Sequence, residues 1–206
     1  MQEVLSQPGV VERFFPTSAD TSAASEVVAL RETWMPMWAL DAENPPTLPS
    51  LTSVIERQQG EPLGTTLARQ HADKLVLKPQ REGGGNNVYK GDIPVFLEGL
   101  GAEERRAWIA MALITPPKGL GSYLVRATSG RDGDEKRDRA VRAETISELG
   151  IFGWALFGRD KGDETKMVCK ERGDVGWLMR TKGVESNEGG VAAGFSVLDS
   201  VVLVGV

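Results

Sequence analysis

The spacing of apolar residues changes several times along the chain, and each change marks an element. Residues 1–16 hold a short apolar-periodic piece interrupted by Pro8 and Gly9. From Thr21 to Trp34, the residues Val27, Leu30 and Trp34 recur at helical spacing, which predicts a helix that Pro36 ends. Residues 44–65 contain Pro45, Pro46, Pro49 and Pro62 among several Ser and Thr, as a loop around one brief helical turn would. The run from Lys74 to Lys78 alternates at period two and stops at Pro79, which predicts a strand. A glycine-rich loop follows, then a helix from Asp92 to Leu100. Ala107 to Ile114 is almost continuously apolar and short, so it reads as a buried strand. Glu144 to Phe157 predicts a long strand, and Gly158 to Thr165 a hairpin connection centred on Lys161, Gly162 and Asp163 that returns through Met167, Val168 and Cys169. Trp177 to Lys182 is read as a further short strand, and Val197 to Val204 as a last apolar segment. No internal repeat is apparent. The fold class expected is α+β, with strands dominating the second half.

Composition narrows the chemistry. The 206 residues suit one large domain or two small ones. Charges sum to 24 − 29 = −5, and no sustained basic block is present, which argues against nucleic acid or an anionic membrane as the main partner. The charged stretch at 129–142 reads as a solvated insertion loop. Cys169 is the one cysteine and His71 the one histidine, so neither an internal disulfide nor a Cys/His zinc cage can form. His71 is expected at the surface and Cys169 in the core, neither with a chemical role. No basic segment followed by an apolar run opens the sequence, and no stretch nears the roughly 18 apolar residues of a membrane span, so a cytoplasmic location is expected. Glycine is enriched, at 24 of 206 residues, and the clusters it forms carry most of the information.

The most specific cluster is Lys78, Pro79, Gln80, Arg81, Glu82, Gly83, Gly84, Gly85, Asn86 and Asn87, with Tyr89 close behind. Successive glycines permit positive φ and remove the side chains that would hold a ligand off the backbone, so that N–H groups can converge on phosphate oxygens. Lys78 at the end of a strand can neutralise a phosphate, and Glu82 offers a hard oxygen to Mg2+. The spacing matches neither of the two common glycine motifs for nucleotides. A plain flexible loop is the alternative reading. Glu144, Ile146 and Glu148 share one strand face, where two carboxylates can hold Mg2+ or ribose hydroxyls; an edge strand with solvated acids is the alternative. Leu178, Arg180 and Lys182 share a face opposite Trp177, Met179 and Thr181, and the aromatic and thioether are expected to pack into the core. Arg180 can grip a carboxylate or phosphate at two points, with Lys182 as a point charge; a solvated basic strand is the alternative. The segment from Gly189 to Gly194, entered through Glu188, can swing over a ligand, or can be an ordinary connection.

Four of these segments together resemble eukaryotic glutathione synthetase, an ATP-grasp ligase: KPQREGGGNNVY at 78–89, ISELGIFG at 146–153, LMRTKG at 178–183 and EGGVAAG at 188–194. Weaker similarity at 2–12 extends the resemblance over almost the whole chain, and what it matches is the C-terminal part of that enzyme. The resemblance implies an ATP-grasp-like fold, incomplete relative to the family, with a mixed or antiparallel sheet flanked by helices. It also implies a reaction in which MgATP phosphorylates the glycine-side carboxylate of γ-glutamylcysteine, and the amine of glycine then displaces phosphate. Residues 78–87 would form the ATP loop, with Glu82 as Mg2+ ligand and Tyr89 as an ATP contact. Met111, Ala112, Leu113 and Ile114 would meet adenine. Glu148, Lys182 and Glu188 would contact ATP, while Arg180, Val191 and Ala192 would contact the peptide, Arg180 being the catalytic residue.

The sequence also departs from that family. Ala112 and Leu113 follow Met111 where the family places an acidic residue after methionine, and Glu188 stands where it has aspartate. The stretch 129–142 is longer than its counterpart, and the ending after Gly194 differs. The chain begins just past the position of a further ATP-binding lysine, and nothing in it matches the amino-terminal part that supplies other Mg2+ ligands. The expectation is therefore that this polypeptide alone does not make glutathione, being either a truncated product or the partner of a separately encoded remainder. A non-catalytic MgATP-binding module and an unstable remnant are the competing readings. Family members are usually homodimers.

Overall fold

The computed structural model describes residues 1–15, 21–45, 60–81, 85–119, 121–125, 140–187, 189–191, 194 and 196–201. The chain divides into two compact units, Met1–Thr115 and Pro116–Val206. It is an α+β protein, as expected. No helix among the described residues is long and apolar enough to cross a membrane.

The first unit contains α1 (Gln2–Ser6), α2 (Thr21–Glu32), β1 (Met37–Ala39), α3 (Leu63–Gln70), β2 (Leu75–Pro79), β3 (Val88–Tyr89), α4 (Asp92–Glu98) and β4 (Trp108–Ala112). Its four strands lie in the order β1-β4-β2-β3, all antiparallel. The apolar run predicted at 107–114 is the interior strand β4, hydrogen-bonded on both sides, which explains why it reads as continuous rather than alternating. Leu75, Leu77 and Ala110 point to one face and join Trp38, Leu67, Ala68, Ile93 and Leu97 in the core, all at or below 6 % exposure. Burying side chains of this size contributes about 1.5–3 kcal/mol each, and the centre of this unit's stability lies here.

Helix α3 was not anticipated, because Gly64, Thr65 and Thr66 are poor helix formers. Tertiary contacts override that weakness. Gly64 N–H donates to the Ala42 carbonyl at 2.8 Å, Trp38 Nε1 donates to the Gly64 carbonyl at 2.9 Å, and Thr65 Oγ1 donates to the Leu40 carbonyl at 2.7 Å. The helix thereby docks backbone to backbone against the end of β1. His71, expected at the surface, is buried at 8 % exposure. It ends α3, its N–H bonded to the Leu67 carbonyl, and the chain turns there into the 3-10 segment 72–74 that leads into β2. Burial, and then the charge of Lys74, hold its pKa below the ordinary 6.5.

The second unit is a sheet of β5 (Gly121–Val125), β6 (Ala140–Arg159), β7 (Met167–Gly183) and β8 (Val197–Asp199), in that order and antiparallel. The return strand and the short strand expected at 177–182 are one continuous strand, β7, with register shifts opposite Phe152/Gly153 and Leu156/Phe157. The predicted connection forms a tip in which Asp160 Oδ1 accepts from Gly162 N–H at 2.7 Å. In the same tip Asp163 Oδ1 accepts from Thr165 N–H at 3.0 Å and from its hydroxyl at 2.6 Å. Of the charged stretch 129–142, residues 129–139 lie outside the described residues, and Ala140 to Arg142, read as loop, begin β6. The final apolar segment is strand only at Val197–Asp199, and 202–204 lie outside the described residues.

Two expectations fail on this sheet for one reason. Among the described residues, β5 pairs only with residues 140–144 of β6, and β8 only with 179–181 of β7. Beyond those pairings β6 and β7 continue as a two-stranded ribbon. Cys169, expected in the core, sits on that ribbon and is exposed. Trp177, also expected in the core, is 58 % exposed opposite Ile151, itself 75 % exposed.

Candidate functional site

In the first unit, the two-residue repeat of the strands sorts the candidate residues by face. Lys78 opposes Ile109, Val76 opposes both Met111 and Tyr89, and these five lie on the face away from the Leu75–Leu77–Ala110 core. Lys78, Met111 and Tyr89 are thus brought to one side of the sheet, each half-buried. Ala112 falls on the opposite, core-packed face; Leu113 is half-buried just past β4 with its N–H on the Lys74 carbonyl; Ile114 is 72 % exposed. Pro79 ends β2, and Gln80 N–H donates to the Ala107 carbonyl at 2.8 Å, so the loop leaves the sheet from a fixed point. Gln80 and Arg81 are exposed there. On the return, Gly85 has φ +86° with open space where a Cβ would stand. Asn86 is exposed, and Asn87 Nδ2 donates to Tyr89 Oη at 3.2 Å. Glu82, Gly83 and Gly84 lie outside the described residues.

In the second unit, Glu148 directly opposes Arg180 and Ile146 opposes Lys182 across β6 and β7. Glu144 pairs with Gly121 of β5, but at Glu148 β6 is bonded to β7 alone, and both acids are exposed, as on the edge strand with solvated acids that was the alternative reading. Arg180 Nη2 donates to Glu148 Oε2 at 2.6 Å, and Lys182 Nζ stands 3.9 Å from Glu148 Oε1, so one carboxylate lies between two cations. Arg180 and Glu148 keep 41 % and 43 % side-chain exposure, whereas Lys182 keeps 11 %. Backbone carbonyls at and just before the glycine-rich segment meet this cluster: Arg180 Nη1 reaches the Gly189 oxygen at 3.4 Å and Lys182 Nζ the Asn187 oxygen at 3.4 Å. Val191 is half-buried, and its carbonyl accepts from Gly194 N–H at 3.0 Å. Glu188 and Ala192 lie outside the described residues. Among the described residues no group of three or more His, Cys, Asp or Glu could hold a metal ion.

The reverse face of the same strands carries a second polar cluster. Ser147 and Thr181 hydroxyls meet at 2.8 Å, and Thr181 Oγ1 donates to Asp199 Oδ2 at 2.6 Å. Thr181 is 2 % exposed. That hydroxyl bond, joined by one from Ser200 N–H, holds the Asp199 carboxyl below the ordinary 3.8. The signal available was a polar residue, Thr181, at an inward strand position, where a hydroxyl requires a partner.

Comparison with known proteins places the chain in a family. The model of the eukaryotic glutathione synthase ATP-binding domain matches residues 1–203. Glutathione synthetase of Xenopus laevis is 37 % identical over 99 % of this chain and 35 % of its own length. The chloroplastic glutathione synthetase of Arabidopsis thaliana is 36 % identical over 99 % of this chain and 30 % of its own length. A solved glutathione synthetase-like effector from Globodera pallida, in its apo form, shares the fold at TM-score 0.50 and 19 % identity, covering 97 % of this chain and 32 % of that one. The chain therefore spans about a third of the length of the curated relatives it matches. It belongs to the eukaryotic glutathione synthase ATP-binding domain family.

Proposed function

We propose that this chain is the C-terminal, ATP-grasp part of a glutathione synthetase and provides much of its MgATP site. The observation that carries the reading is the sorting of chemistry by face. Lys78, Met111 and Tyr89 share one side of the first sheet, and Glu148, Arg180 and Lys182 share one side of the second. The residues fit a polyphosphate. Lys78 stands at the start of a loop whose return at Gly85 has positive φ and open space beside it, so backbone amides can approach phosphate oxygens. Mg2+ in such sites takes one or two carboxylates and otherwise phosphate and water oxygens. Glu82 would be the carboxylate, and the ion would offset the charge on the transferring phosphoryl group.

In this reading Arg180 orients the carboxylate of γ-glutamylcysteine by two-point hydrogen bonding, and Glu148 holds the guanidinium in place until that substrate arrives. Val191 and Ala192 line the peptide, Lys182 and Glu188 face ATP, Met111 meets adenine with its side chain, and Ala112 to Ile114 contribute there through backbone groups. The work of these groups is positioning and electrostatic stabilisation. Ligation with glycine is assigned to the synthetase as a whole, in the cytoplasm, and this chain alone binds nucleotide without turnover. Calorimetric titration of the purified chain with a non-hydrolysable ATP analogue tests the reading. Saturable binding that strengthens with Mg2+ and weakens in Glu82→Ala is the expected result. Absence of binding with Mg2+ present would sink it.

A further inference from the structure

The segment between β7 and β8 is tied at its base by residues to which the resemblance gives no role. Ser196 Oγ, on a residue 7 % exposed, donates to the Gly189 carbonyl at 2.7 Å. That carbonyl is the one Arg180 Nη1 also reaches, at 3.4 Å. The positions of Gly189 and of the guanidinium are thus coupled through one oxygen. Strand β8, only Val197–Asp199, follows directly and needs its own anchor. It has one: Asp199 pairs with Met179 and accepts from the Thr181 hydroxyl on the diagonal, at 2.6 Å. Since the Asp199 carboxylate can only accept, Thr181 gives it its single hydroxyl proton, and Ser147 must donate in turn to Thr181. The row Ser147–Thr181–Asp199 crosses three strands on the face opposite Glu148 and Arg180. It forms only in the register that sets that pair opposite each other, since a slip of one residue would break both.

We propose that Ser196, backed by Thr181 and Asp199, is a positioning residue that clasps Gly189 beside Glu148 and Arg180 and so keeps that site ready for ligand. The proposal rests on the nucleotide and peptide reading of that site. Its test uses the full chain and two measurements. One is amide hydrogen exchange over 184–194 without ligand; the other is affinity for a non-hydrolysable ATP analogue with Mg2+. Ser196→Ala is expected to speed exchange and weaken affinity, each by roughly fivefold, the factor one neutral hydrogen bond commonly supplies. Ser196→Thr, which keeps the hydroxyl, is expected to restore both. Thr181→Val, which keeps the shape and loses the donor, moves both in the same direction as Ser196→Ala. Unchanged exchange in Ser196→Ala overturns the clasp. Faster exchange with unchanged affinity overturns its positioning role and leaves a structural bond. A wild-type chain that binds no nucleotide instead overturns the preceding functional reading, and exchange alone then decides the clasp.

Discussion

Replacing Gly64 with alanine sets two physical effects against each other, and the structure decides between them. By intrinsic propensity the change favours helix α3 by about 1 kcal/mol. Sterically it does the reverse. A Cβ at this position falls well inside 3.0 Å of the Ala39 carbonyl oxygen and 3.1 Å from Trp38 Cδ1. The nearest obstacle is backbone, which cannot rotate away. Relief requires α3 to move off β1, which costs about 1–3 kcal/mol as overpacking. The same movement stretches the Gly64 N–H bond to Ala42 and the Trp38 Nε1 bond to the Gly64 carbonyl, each worth about 1 kcal/mol. Gly64→Ala should therefore destabilise the first unit by roughly 2–4 kcal/mol. Urea unfolding followed by tryptophan fluorescence reads this as a midpoint lowered by about 1–2 M. Gly99→Ala is the control: Gly99 has φ −86° and only the Phe96 carbonyl at 3.8 Å, so its midpoint should barely move. A Gly64→Ala protein as stable as wild type, or more so, would refute the close-approach argument.

Three further outcomes follow from the same geometry. Arg180→Gln should cost less than about 1 kcal/mol of stability, because its ion pair with Glu148 is two-fifths exposed. It should lower affinity for γ-glutamylcysteine at saturating nucleotide by about tenfold or more; a large loss in a urea melt with unchanged titration would mark Arg180 as structural. Gly85→Val places a branched side chain at φ +86°, so affinity for the ATP analogue should fall while circular dichroism stays unchanged; equal affinity would remove the loop from the phosphate site. His71, with its folded pKa depressed below 6.5 by burial, contributes stability that is fully present above 6.5 and lost as pH falls through the lower folded value. Thermal melts across that window should show the decline in wild type and a flatter profile in His71→Gln.

How much of this was legible beforehand depended on whether a residue's environment was local. Strand β4 and the later half of β6, Leu149 to Phe157, announce themselves through runs of apolar residues, and the tip at Lys161–Asp163 through its turn chemistry. The candidate site was readable as residue types, since Lys78, Glu148, Arg180 and Lys182 are recognisable as charges at strand spacing. That Glu148 and Arg180 would stand opposite each other was not, because register between β6 and β7 is set by a connection and two bulges rather than by either strand. α3 escaped for a similar reason: its helical state depends on Ala42, Leu40 and Trp38, more than twenty residues earlier in sequence. Cys169 and Trp177 were misplaced because apolar character alone does not tell how far a third strand extends.

The uneven burial of the indoles gives the first unit its own optical label. Trp38 is 1 % exposed at the centre of the first unit, whereas Trp154 and Trp177 in the second are 46 % and 58 % exposed. An enclosed indole emits to the blue of a hydrated one, so loss of the blue component tracks melting of the first unit. Trp34 and Trp108, half-buried in the first unit, overlap the red component of Trp154 and Trp177, so the blue edge is the part of the spectrum that reports on a single unit, without any added dye.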